Sequence, residues 1–128
     1  MKNYNKSAFT VGALVIILSL VLAACNPASS GAAKFPIGRF VSVSDQSNEY
    51  EFNKDKTWSY YQGGLMAAKG TYQVEGNLYI DQGTPECPFK GTYQWSYDGK
   101  NLSFKLVGED ACEPRKAATD GQTLVLSQ

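Results

Sequence analysis

Residues 69–80, KGTYQVEGNLYI, and residues 90–102, KGTYQWSYDGKNL, carry the same unit twice. Lys69-Gly70-Thr71-Tyr72-Gln73 recurs as Lys90-Gly91-Thr92-Tyr93-Gln94, and each copy passes through a glycine-containing turn into Asn-Leu, at Asn77-Leu78 and Asn101-Leu102. Large apolar residues alternate with polar ones in both copies, the period of a strand with one buried and one wet face. Two such strands joined by a tight turn make a β-hairpin, and a repeated hairpin makes an antiparallel meander.

The alternation extends outward in both directions. Upstream it selects Tyr50 and Phe52, then Trp58 and Tyr60; downstream it selects Leu102, Phe104 and Leu106, then Leu124 and Leu126. Within the repeat it selects Tyr72 and Val74, Leu78 and Ile80, and Tyr93, Trp95 and Tyr97. Strands are expected near 39–44, 49–53, 57–62, 69–75, 77–81, 90–97, 101–107 and 122–127. The expected fold is all-β: an up-and-down meander of eight short strands closing into a barrel, because closure removes exposed edges.

The chain has 128 residues with 12 Lys+Arg, 12 Asp+Glu and no histidine. Without imidazole there is no Ser-His triad and no ordinary zinc or copper site. No G-x-S-x-G, Walker, H-E-x-x-H or EF-hand pattern occurs, so no catalytic residue, metal or cofactor is expected and the chain reads as a non-enzyme.

Lys2 and Lys6 precede an uncharged run ending in small residues, the layout of a targeting segment. Its end, Leu22-Ala23-Ala24-Cys25, resembles the lipobox of bacterial lipoproteins, which implies a signal peptide over 1–24 and an acylated Cys25. The partner of Cys25 would be the lipid bilayer, the location extracytoplasmic, and Asn26 in place of Asp resembles outer-membrane sorting in a host with two membranes. Residues 25–36 then form a lipidated tether and 37–128 the barrel domain. Removing Lys2 and Lys6 from the 12 basic residues leaves 10 against 12 acidic, a net charge of −2 that argues against a nucleic-acid partner. With Cys25 lipidated, Cys87 and Cys112 remain as an even pair in a compartment where disulfides persist.

Gly38-Arg39-Phe40 sits where lipocalins carry Gly-x-Trp on the first strand, with Phe replacing Trp. The chain resembles the small lipocalin-like barrels of the calycin group. That resemblance implies that Arg115 is the basic residue packed over the first-strand aromatic, and it implies a ligand at the mouth of the barrel.

In a meander, alternate connections lie at opposite ends. Those at Asn53–Lys56, Glu75–Asn77 and Asp98–Lys100 are tight, whereas those at Asp45–Asn48, Gly63–Ala68, Asp81–Phe89 and Gly108–Gly121 are longer. Both remaining cysteines fall at the long-loop end, as a disulfide requires. Strand one starts at the tight-turn end beside the tether, so the loop end faces away from the membrane, and loops on a rigid scaffold carry binding. Candidate ligand-binding residues are Trp58, Tyr60, Tyr72, Tyr93, Trp95 and Arg115, although so many inward aromatics argue chiefly for a filled core. The loop end is acidic, with Glu109, Asp110 and Glu113 as the candidate surface for a basic protein. Two functions are therefore expected: a module binding a small ligand, or, by analogy with lysozyme-inhibiting lipoproteins, an inhibitor of a basic secreted enzyme.

Overall fold

The computed structural model describes residues 33–128; the expected signal peptide, the expected lipidation site Cys25 and most of the expected tether lie outside them. Strands β1 (Gly38–Ser42), β2 (Asn48–Phe52), β3 (Thr57–Gln62), β4 (Leu65–Glu75), β5 (Leu78–Asp81), β6 (Gly91–Tyr97), β7 (Asn101–Leu106) and β8 (Thr123–Leu126) form one closed antiparallel barrel in chain order. Closure pairs β8 with β1, setting Phe40 opposite Leu126 and Ser42 opposite Leu124. The eight-stranded meander expected from the repeat is the fold, consistent with a lipocalin-like barrel.

Four details differ from the sequence expectation. First, β4 begins at Leu65, so the connection expected over Gly63–Ala68 is only the turn Gly63-Gly64. Its φ angles of 58° and 82° suit glycine and match the twist of a hairpin. Second, the last long connection contains a helix, α1 (Glu113–Thr119), with Pro114 in its first turn. Seven residues with no buried side chain give no apolar helical stripe to find.

Third, β5 faces the other way. Tyr79 and Asp81 are buried, while Leu78 and Ile80, expected inside, are only half-buried on the outer face. Residues directly opposite in a ladder share a face, and the register sets Tyr72 against Asp81 and Tyr79 against Tyr93. The short Gly76-Asn77 turn fixes that register, and a one-residue slip would reverse every side chain on the strand. Fourth, the core takes in Phe35, upstream of the expected domain start at Ile37. Its ring is 6 % exposed and stands 5.1–5.5 Å, centroid to centroid, from Phe52, Tyr72, Tyr79 and Trp95. It plugs the barrel at the end where β1 begins.

The repeat has a structural meaning. Gly70 and Gly91 lie two residues before the buried Tyr72 and Tyr93, on the same inward face. A Cβ on Gly70 would lie 2.9 Å from the indole of Trp58, and one on Gly91 would collide first with Oδ2 of Asp110 and then with Nε of Arg115 at 2.7 Å. Each glycine is the bare floor on which a large side chain rests.

Candidate functional site: a cavity at the loop end

The half of the barrel near the start of β1 is filled by rings, whereas the half under the long connections holds a cavity of about 430 Å³. That is within the range of small-ligand sites, about 300–1,000 Å³. Tyr50, Trp58, Tyr60, Tyr79 and Phe104 form its walls, and Ala67 and Ala68 line it at the rim. The alanines owe their place to a β-bulge: Tyr60 pairs with Ala68 but Tyr61 pairs with Met66, leaving Ala67 as the extra residue. Bulges bend the strand that carries them and favour barrel rims. Small side chains at that bend keep the mouth open.

Helix α1 covers part of the mouth, contributing Pro114, Arg115, Ala118 and Thr119 to the lining. With no buried apolar side chain of its own, it is held by specific braces. The Cys87–Cys112 disulfide ties its N-terminal side to the β5–β6 connection, with the Cα atoms 5.7 Å apart. The Tyr50 hydroxyl donates to the carbonyl of Ala118. Arg115 reaches back from the helix into the barrel.

Arg115 joins two carboxylates. Its Nε and Nη2 donate to Asp110 Oδ2 and Oδ1 at 2.7 and 2.6 Å, a bidentate fork, while Nη1 donates to Asp81 Oδ1 at 3.0 Å. Asp110 also accepts from the Tyr93 hydroxyl at 2.5 Å and from the Cys112 amide at 2.8 Å, so both its oxygens are occupied. Burial by itself raises the Asp110 carboxyl, but the bonds from Arg115, Tyr93 and the Cys112 amide outweigh it and hold the group below the ordinary carboxylate value. Burial dominates at Asp81 and pushes its carboxyl up, against the Gly83 amide and Arg115. Arg115 stays charged: burial opposes the guanidinium, and the hydrogen bond to Asp110 with the charges of both aspartates overrides that.

Of the residues expected to bind ligand, Trp58, Tyr60 and Arg115 line the cavity. Tyr72, Tyr93 and Trp95 do not: Tyr72 donates to the Asn53 carbonyl, Tyr93 braces Asp110, and Trp95 packs edge-on against Phe35. Arg115 is not the cation over Phe40. It is engaged at the loop end with Asp81 and Asp110, whereas Phe40 packs against Phe52 and Tyr97. The acidic surface is also smaller than expected, because Asp110 is 4 % exposed and paired inside, leaving Glu109 and Glu113 in solvent.

The alternation marked Tyr50 as inward without assigning it a role at the site. Tyr79 and the helix are not among the residues expected there, and Asp81, expected at the loop end, is inside the barrel instead of on its surface. A usable signal for Asp81 lay in its ladder position opposite Tyr72, which requires the register to be known. Among the described residues no group of three His, Cys, Asp or Glu side chains is placed to hold a metal ion. Comparison with protein-family models, curated proteins and solved structures finds no match to this chain.

Proposed function

We propose that this chain is an extracytoplasmic, lipid-anchored module that holds a small ligand in the loop-end cavity of its barrel. The observation that carries this reading is the cavity itself: about 430 Å³ of space walled by aromatic rings, in a barrel whose other half is packed solid. An eight-stranded barrel is just wide enough for side chains to fill it. A hollow left on one side only, under a braced helix, favours retention for an occupant over poor packing.

Native mass spectrometry of the protein before and after organic extraction tests the binding role, together with fluorescence titration of an apolar dye. Ala118→Trp and Ala68→Phe, which fill the cavity from the helix and from the bulge, are expected to abolish dye binding while the protein stays folded. Equal dye binding by wild type and both variants would overturn the reading. The anchor rests on Leu22-Ala23-Ala24-Cys25 and is tested by metabolic acyl labelling. Label is expected on wild type and absent from Cys25→Ser; a labelled variant removes Cys25 from the role.

A further inference from the structure

We infer that the occupant is an amphipathic amine, an apolar ring or short chain carrying a protonated nitrogen, and that Asp81 receives the ammonium. The inference rests on the reading of the cavity as a ligand site and specifies the chemistry that site selects. Asp81 is 3 % exposed and lines the cavity. Its two hydrogen bonds, from the Gly83 amide at 2.8 Å and from Arg115 at 3.0 Å, both fall on Oδ1. Among the described residues Oδ2 has no partner. The same holds for the hydroxyl of Tyr79, which lines the same cavity at 4 % exposure and lies close enough to Asp81 to feel its charge. The fully buried side-chain polar atoms without a partner among the described residues are Nε1 of Trp58 and of Trp95; Asp81 Oδ2 is not sealed in this way, so it is an accessible carboxylate oxygen on an aromatic wall, open to a donor.

Charge selects the donor. Asp110 already neutralises Arg115 through a bidentate pair and has no oxygen to spare. Two carboxylates thus share one guanidinium, a triad with net charge −1, and Glu86 adds a further negative group to the lining. A carboxylate ligand would enter as another anion beside Arg115, whose fork is already taken. An ammonium restores balance, and it gains further from the faces of Trp58, Tyr60 and Tyr79, since aromatic faces attract cations. A metal cation is disfavoured by the absence of a three-ligand group among the described residues.

Three indoles with a common ring and different heads test this: tryptamine, tryptophol and indole-3-acetate, titrated against the full chain by calorimetry. Tryptamine is expected to bind about tenfold or more tighter than tryptophol, as a charge-assisted hydrogen bond does, and indole-3-acetate to bind weakest. Asp81→Asn is expected to bring the tryptamine-to-tryptophol affinity ratio to about one. Tryptamine binding no tighter than tryptophol, or indole-3-acetate binding tightest, overturns the amine inference and leaves the cavity reading standing. No binding by any of the three, together with dye binding unaffected by Ala118→Trp and Ala68→Phe, overturns both. The wild-type series needs no variant, so it decides the question even if Asp81→Asn fails to fold.

Discussion

The two ends of this barrel solve opposite problems with the same strands. At the end where β1 begins the turns are short and the interior is a stack of rings around Phe35, held by non-directional apolar burial. At the loop end the β5–β6 and β7–β8 connections are long and the interior is hollow, so order there depends on a disulfide, a buried charge triad and the hydroxyl of Tyr50. Rings can fill space without regard to partner geometry. A cavity gives up that contribution, and the structure around it must be fixed by bonds that have direction.

That contrast can be broken at either end, and the largest effect is expected at the plug. Phe35→Ala removes a ring enclosed by other rings and should destabilise by about 3–5 kcal/mol, measured by urea denaturation. A loss below about 1 kcal/mol would mean that Phe35 merely rests on the barrel. Asp110→Asn at the other end leaves Arg115 with one charged partner and should cost about 3 kcal/mol. Cys87→Ser with Cys112→Ser should cost about 2–4 kcal/mol. Both loop-end changes should also raise hydrogen exchange in α1 and the β5–β6 connection more than in β1–β3, because local opening begins where buried apolar contacts are fewest. Uniform acceleration would show that the ends do not differ.

Smaller effects sharpen the comparison. Gly91→Ala should cost about 1–3 kcal/mol by pushing the Asp110–Arg115 pair off its floor, and Gly70→Ala a similar amount through Trp58; both should weaken ligand binding, since Arg115 and Trp58 line the cavity. The charge triad also carries an acid signature of mixed sign. The folded-state value of Asp110 is depressed, so its stabilisation is present above the unfolded value of 3.8 and is lost as pH falls through the folded value. The folded-state value of Asp81 is raised, so on acidification its protonation favours the folded state before Asp110 begins to titrate. Asp81→Asn should remove the first feature from a stability–pH curve and Asp110→Asn the second.

Most of the fold was legible because the repeat and the period-two pattern depend only on local chain chemistry. The disulfide was legible too, since parity of connections puts Cys87 and Cys112 at one end whatever the side chains do. The site was legible in part: Trp58, Tyr60 and Arg115 were singled out and do line the cavity. Tyr72, Tyr93 and Trp95 were placed in the same set, since alternation tells the face of a strand but not the depth along the barrel axis. Leu78-Tyr79-Ile80-Asp81 misled because an apolar pair at 78 and 80 looks more inward than Tyr and Asp. Only Arg115, more than thirty residues away in sequence, makes a buried Asp81 tolerable.

The sequence by itself determined the strand period, the hairpin repeat, the exclusion of imidazole chemistry and the even pair of cysteines. These follow from residue type and spacing. The tertiary structure decided that the aromatics pack one half and leave the other hollow, that Arg115 pairs with two aspartates instead of covering Phe40, and that both hydrogen bonds of the cavity-lining Asp81 fall on one oxygen. Those are outcomes of register and closure, which bring residues from β5, β6 and α1 to a common point, and no local pattern in the chain encodes where that point lies.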